Sequence, residues 1–351
     1  KYYDAVYSRK VRRTMGRIDV AGKVAVYLIY PTYGLQMSHL RGIEYLISKG
    51  YAPVVVSNLP LSAHDRDRLV DLCHICLERP NFGYDFGGYR DGILAMAAKL
   101  SKLDHLLIIN DSTWFALPGC RDWLCDAEAL NVDFAAAASN YGVPRARVED
   151  LRDFVWDYRT THKNFHYCSF ALLFSKSVLT HPDFHRYWKT FPLTNKKNRT
   201  VRRGEIGLSK WIIWNGFTHG VTCDIAKLDE ALEALDENRL RQIVEDLIVP
   251  EDTRLLRLKH DLLKGDHDRR DLILLILHTV ARQGSSYALA SYMIKERGFP
   301  CLKKSPVWLN REASDTTMRL AAELPGPAAT EILSEMQALR ADRAPDFDQP
   351  T

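Results

Sequence analysis

Short apolar runs alternate with amphipathic stretches through the first half of the chain. Residues 23–30 (KVAVYLIY) and 51–57 (YAPVVVS) are rich in β-branched and aromatic residues, and Pro31, Gly34, Asn58 and Pro60 close them. Such runs predict buried strands. Between them Leu40, Ile43, Leu46 and Ile47 recur at helical spacing over residues 38–49, with Gly50 placed as a C-cap. Residues 65–73 predict a second helix and 77–79 a short third strand. Residues 89–100 predict a further helix, and 105–109 a strand that stops at Asn110-Asp111-Ser112. The order strand, helix, strand, helix, strand implies a parallel α/β sheet with right-handed crossovers.

Further on, residues 132–138 and 166–174 read as strands, and 120–126, 149–158, 177–180, 184–189 and 205–215 as helices. From Leu228 the pattern is helical only, over 228–247, 268–283, 286–296 and 316–340, with 344–351 expected to fray. The division expected is a basic arm over 1–22, an α/β domain over 23–226 and a helical region over 227–351. The arm reads as a solvated lead-in that can touch anionic lipid head groups.

Composition narrows the picture modestly. With 351 residues, 46% apolar and 26% charged, the chain is globular in composition and long enough for one large or two modest domains. Its formal charge of +4 is a weak basic excess that selects no partner by itself. No apolar stretch approaches the ~20 residues of a membrane span. No leader is seen, although the sequence starts at Lys1 rather than Met, so a segment lost upstream stays open. The seven cysteines are odd in number and scattered, which suits reduced thiols in a cytoplasmic protein. Cys73 and Cys76 have a metal-like or redox-like spacing without a second pair. The alternative is two thiols on a helix beside the core.

The candidate chemistry lies at strand ends. Asp111 follows a buried strand, where open α/β sheets place their ligands. It can bind a divalent cation, receive a sugar hydroxyl or cap the next helix. The stretch 79–92 (RPNFGYDFGGYRDG) reads as a glycine-rich turn leading into a helix. There Gly83, Gly87 and Gly88 permit close backbone approach and positive φ, Arg90 can pair with phosphate oxygens, and Asn81 and Asp85 can bond the turn or a ribose. No P-loop or dinucleotide fingerprint is present. Glu205 opens a helix after a basic run that includes Lys196, Lys197, Arg199, Arg202 and Arg203. It is either a dipole-stabilised helix start or a general base, and the cations before it hold a diphosphate or lipid phosphate or are simply solvated. His166, Tyr167, Trp114 and Trp156 are candidate sugar-stacking rings, each also at home in a core. Neither a nucleophilic triad nor a glycosidase-like carboxylate pair stands out.

The run 79–92, then Leu106 to Ser112 (LLIINDS), resembles the rhamnan synthesis protein F family, which carries an N-x-G-Y-D-F stretch and an N-D-S strand end. Similar to that family too are residues 169–176 with Phe184, Tyr187 and Trp188, the segment 204–209 (GEIGLS) with Gly216-Phe217, and 293–306 (MIKERGFPCLKKSP). The resemblance covers roughly residues 23–306. It implies a GT-A-like (Rossmann-like), mostly parallel sheet flanked by helices, with an α-helical C-terminal region. It implies an inverting glycosyltransferase that uses a nucleotide-sugar donor, with dTDP-rhamnose or a related deoxysugar first, to extend a bacterial cell-surface polysaccharide.

On this expectation Tyr30, Ser57, Asn58, Asn81, Gly83, Asp85, Gly88, Arg90, Asn110 and Ser112 shape the donor pocket, and Asp111 and Glu205 are catalytic. His166, Arg202 and Arg203 serve acceptor or phosphate. Partners would be the nucleotide sugar and a glycan acceptor, lipid-linked in one version, at the inner face of the plasma membrane, with no nucleic acid. The resemblance departs at Asn110-Asp111-Ser112, which supplies one acid where two are usual. Either Asp111 holds a divalent cation, Mg²⁺ or Mn²⁺, or cations such as Arg90 stabilise the leaving diphosphate. The rival class is a non-catalytic glycan- or nucleotide-binding subunit of a polysaccharide assembly complex. A nucleotidyltransferase lacks the basic, glycine-rich loop it would need after the first strand.

Overall fold

The computed structural model describes residues 2–144, 148–249, 252–265, 268–344 and 347. Most of the expected frayed tail, 345–346 and 348–351, and the first residue, Lys1, lie outside them. The chain forms two compact units with interleaved boundaries: residues 1–111, 123–137 and 167–222 make the first, and 112–122, 138–166 and 223–351 the second. Segments 112–122 and 138–166, read from sequence as parts of the α/β domain, thus group with the helical C-terminal part.

The first unit is built on an eight-stranded sheet. Its strands are β1 (Arg12–Met15), β2 (Lys23–Ile29), β3 (Ala52–Ser57), β4 (Ile75–Glu78), β5 (His105–Asn110), β6 (Phe134–Ala136), β7 (Ala171–Ser175) and β8 (His219–Val221). They lie in the order β1-β4-β3-β2-β5-β7-β6-β8. β2 runs parallel to β3 and β5, β3 to β4, and β6 to β8, whereas β7 runs antiparallel to both β5 and β6 and β1 antiparallel to β4. This is the mostly parallel sheet expected. Every residue of β3, and all of β2 beyond Lys23, is buried, as continuous apolar runs covered on both faces must be.

Two expectations change. The lead-in is no solvated arm, because Arg12–Met15 pairs along β4 and Tyr3 is buried. Three of the four β1 side chains are exposed, so this edge strand carries no apolar alternation to reveal it. The glycine-rich turn is helix: Tyr84–Ala95 begins at Gly83, an N-cap with φ 86°. Gly87, Gly88 and Gly92 lie inside this helix. A Cβ on Gly88 would stand 2.4 Å from Leu28 Cδ1, and one on Gly92 2.4 Å from Val26 Cγ1. Gly88 and Gly92 let the helix seat directly on β2, which is a packing role.

Other differences are boundaries. Residues 149–158 form only a 3₁₀ turn, Val148–Asp153, and the strand expected over 166–174 is broken before Ala171. The basic run is helical over Lys197–Val201, continues as a π turn, Arg202–Ile206, and becomes the helix Gly207–Trp214. Cys73 and Cys76 are not on a helix. Cys73 lies just before β4 and Cys76 within it. Burial pushes both thiols up to about 12, and neither is in a disulfide, so they are core residues.

The second unit is helical, with a core around Trp114, Leu302, Val307, Leu320 and Met336. The Trp114 indole N–H donates to Glu335 at 2.8 Å, giving the buried ring's one polar atom a partner. Residues 228–247 and 316–340, each read as one helix, are split: Leu228–Glu233 and Glu237–Glu245, then Arg311–Ala322 and Pro327–Arg343. Among the described residues no helix is long and apolar enough to cross a membrane.

Candidate active site

The chain leaves β2 outward to β3 and β4, then returns to place β5 on the other side of β2. The carboxyl ends of β2 and β5 therefore border a topological switch point, where open α/β sheets form their ligand crevice. Tyr30 follows β2 and Asp111 follows β5. The Tyr30 N–H donates to Asp111 Oδ2 at 2.7 Å, and the Asp111 N–H donates to Leu28 O at 3.0 Å.

His39 completes this corner. It sits at the third position of the helix Met37–Ser48 and forms a capping box with Gln36, whose N–H donates to His39 Nδ1 at 3.1 Å. With Nδ1 accepting, the ring proton lies on Nε2, which faces Asp111 Oδ2 at 3.1 Å. His39 is buried and the Asp111 side chain is 15% exposed. One oxygen of the acid thus takes two N–H donors from the strand and helix on its β2 side.

From this corner a chain of side chains leads to Glu205. Asn110 hydrogen-bonds the Tyr89 hydroxyl. That hydroxyl donates to Ser169 O at 2.7 Å, and Ser169 Oγ donates to Glu205 Oε1 at 2.7 Å. Ser169 stands just before β7, whose antiparallel run brings its start beside the end of β5, Ala171 facing Ile109. Burial first, then the carboxylates of Asp85, Glu205 and Asp111, push the Tyr89 hydroxyl well above its ordinary range, while Asn110 opposes them. Tyr89 is thus an inert spacer with three acids around it.

Glu205 belongs to the π turn Arg202–Ile206, a distortion often found at functional sites. Gly204 makes it possible, since a Cβ there would stand 2.3 Å from the Phe86 ring. Glu205 lines a pocket of about 80 Å³ together with Tyr84, Asp85, Ser169, Lys197 and Thr200. The pocket brings two carboxylates and an ammonium group together, a grouping spread over some 120 positions of sequence.

The other predicted residues fall into three groups. Asn110, Asp85 and Tyr30 join Asp111 and Glu205 as described. Arg202 and Arg203 are exposed on the π turn beside Glu205, and Asn81 is exposed ahead of Gly83. Several are occupied by structure instead. Arg90 is buried, donating to the carbonyls of Trp188 and Lys189 and to Asp4, so it ends the helix Pro182–Thr190 and presents nothing to a phosphate. Asn58 accepts from Arg79 at 2.6 Å, the Ser57 hydroxyl donates to Leu59 O at 2.6 Å, and Gly83 N–H donates to Asn195 at 2.8 Å. Gly88 packs on Leu28.

Ser112 and His166 belong to the second unit, where Ser112 Oγ accepts from Lys303 at 3.3 Å and His166 Nδ1 meets Asn164 O at 2.9 Å.

The sequence reading missed His39, Ser169 and Tyr89 as parts of the site, whereas Lys197 was among the cations offered for a phosphate. It also missed Arg79, fully buried, which donates to Asp91, Asn58 and Phe82 O and holds the end of β3 against the start of the Tyr84–Ala95 helix. His39 carries no local motif, and although Arg79, Tyr89 and Ser169 lie in the stretches 79–92 and 169–176, nothing local assigns them these contacts. Only the registration of strands brings them together.

The divalent cation that the resemblance implies finds a poor fit. Among the described residues no group of three or more His, Cys, Asp or Glu side chains could hold a metal, and Asp111 Oδ2 already accepts two N–H groups.

The fold and site together define a mostly parallel α/β protein with an acid at its topological switch point, linked to a second carboxylate in a pocket. Residues 53–288 match the model of rhamnan synthesis protein F, and the chain belongs to that family. It is 34% identical over 249 residues to the uncharacterized protein y4gN of Sinorhizobium fredii, a match covering 69% of this chain and 59% of that protein. It is 32% identical over 106 residues to the virulence protein VirA of Vibrio anguillarum, covering 28% of this chain and 34% of that protein. The matched region thus spans less than two thirds of either relative. Among solved structures, the mannosyltransferase Ktr4p from S. cerevisiae in complex with GDP aligns over 50% of this chain and 65% of that one, at 10% identity and a TM-score of 0.26. Core-mannan synthase A from Aspergillus fumigatus, in its Mn/GDP form, aligns over 50% and 65% at 11% identity and a TM-score of 0.25. Likeness at this level decides nothing about this chain.

Proposed function

We propose that this protein is an inverting glycosyltransferase that takes a nucleotide-sugar donor, dTDP-rhamnose or a related deoxysugar, and extends a bacterial cell-surface polysaccharide. The observation that carries the reading is the bonded path from Asp111 at the switch point, through Asn110, Tyr89 and Ser169, to Glu205. Membership of the rhamnan synthesis protein F family supports it.

In this reading Asp111, fixed by His39 and the Tyr30 N–H, accepts a hydroxyl of the donor. Glu205 takes the proton from the acceptor hydroxyl as its oxygen attacks the anomeric carbon. The bond from that carbon to the diphosphate breaks, and its electron pair leaves with the nucleoside diphosphate. Attack opposite the leaving group inverts the anomeric configuration. Lys197, beside Glu205, and the exposed Arg202 and Arg203 offer positive charge to a phosphate. No step here needs a protein-held cation.

Thermal stabilisation by a panel of nucleotide sugars tests the donor class. Stabilisation by dTDP-rhamnose that Asp111→Ala abolishes is expected. A panel in which no nucleotide sugar stabilises the wild type contradicts the reading. The rival, a non-catalytic binding subunit, is favoured by the single acid at Asn110-Asp111-Ser112. It predicts donor binding with neither transfer nor slow hydrolysis of the donor when acceptor is withheld.

A further inference from the structure

The 197–214 run is one continuous helical element with a π turn in its middle. One side is inward: Thr200, Gly204, Leu208 and Ile212 are buried, at a constant spacing of four. A straight α-helix drifts off a four-residue repeat, and the wider π turn corrects part of that drift. The other side carries Arg199, Arg203, Lys210 and Trp214. Arg199 and Arg203 are exposed and Lys210 is half-buried. Trp214 is 78% exposed, the highest value of any large apolar side chain described, and Lys210 Nζ lies 5.8 Å from its ring centre. Lys196, Lys197 and Arg202 add positive charge at the same end as Arg199, and Glu205, turned into its pocket, is the one acid between 196 and 214. None of Arg199, Arg203 and Lys210 is in an ion pair among the described residues, and Arg203 reaches only Pro192 O at 3.4 Å.

A large ring left in water is unfavourable unless it meets something. A tryptophan at the end of a row of cations on an exposed helix face is the composition that settles at the head-group level of a bilayer, ring in the interface and cations on anionic lipid. We propose that this face of the 197–214 element docks on an anionic membrane surface. A nucleic acid also attracts cations, but it recruits aromatic rings interleaved with the basic residues along the strand. Here Trp214 stands at the end of the stripe, beside half-buried Ile213, as an apolar tip. Docking this way brings the Glu205 pocket, lined in part by the same element, within about a helix diameter of the lipid head groups. That consequence rests on the reading of Glu205 as acceptor base, and it makes the acceptor a lipid-linked glycan.

The test is flotation of the full chain with vesicles, without donor or acceptor, so that its failure is separate from any failure of transfer. The vesicles are equimolar phosphatidylglycerol and phosphatidylcholine, against phosphatidylcholine alone. The wild type is expected to float with the anionic vesicles only, and to be released as salt rises. The double variant Arg199→Glu/Lys210→Glu should lose more than about tenfold in partitioning, given roughly fivefold for each cation removed. Trp214→Ala should lose several-fold, and both variants should keep the wild-type thermal transition because none of these side chains is buried. Absence of wild-type binding, equal binding to both vesicle types, or undiminished binding by the double variant would overturn the proposal. Preferential capture by a single-stranded oligonucleotide would overturn it as well.

Discussion

Asp111 owes its orientation to two donors of different origin, a backbone N–H at the end of β2 and the Nε2–H of a buried histidine. His39 can serve only because Gln36 fixes its tautomer from the other side of the ring. His39→Phe fills the space without the donor. Loss of a hydrogen bond to a charged group is worth about 1.5–3 kcal/mol, so donor affinity by calorimetry should fall about tenfold or more. Unchanged affinity would mean that the Tyr30 N–H alone suffices. Glu78 makes a second residue-scale case. Burial raises its carboxyl, but the Arg66 bond at 2.6 Å, the Leu61 N–H and Arg12 outweigh burial, and the net shift is downward. A lowered carboxyl stabilises the fold above the ordinary carboxylate range and loses that contribution as pH falls through its folded value. Glu78→Gln should therefore destabilise by about 3 kcal/mol near neutral pH and flatten the acid-side decline in melting temperature. An acid limb as steep as that of the wild type would contradict this. At this scale the sequence marks Asp111 and Glu205, because a carboxylate after an apolar run or a basic loop is conspicuous. His39 lies 72 positions away from the acid it serves and has no such mark.

Among the elements, the helix Tyr84–Ala95 shows how a correct residue list can carry a wrong shape. Glycines suggest a turn, since they free the backbone, and Gly83 does adopt positive φ. Gly88 and Gly92 instead sit where a helix must touch β2, with no room for a methyl group. Gly88→Ala gains up to about 1 kcal/mol in helix propensity. It loses more to the clash with Leu28, since overpacking costs about 1–3 kcal/mol. A lower denaturant midpoint is expected, and a higher one would show that the helix can shift off the sheet. The buried strands and the helix between β2 and β3 were legible because burial imposes periodicity. The edge strand Arg12–Met15 was not, because its side chains face solvent and only its backbone joins the sheet.

Over the whole molecule, the α/β order of the first half and the helical C-terminal third were both readable from the apolar pattern. The interleaving of the two units was not. Segments 112–122 and 138–166 have no periodicity of their own that distinguishes which core they join. The same limit applies to the site: strand order brings Ser169 and Glu205 to the end of β5, and nothing local in the sequence announces it. The proposed function requires Glu205 as the base that receives the acceptor proton while Asp111 holds the donor. The most direct test is the transfer rate of Glu205→Gln, measured beside its donor affinity by calorimetry. Donor affinity within about twofold of the wild type and transfer reduced about 10²- to 10⁴-fold are predicted, the range a positioned general base contributes. Transfer at the wild-type rate would contradict the account.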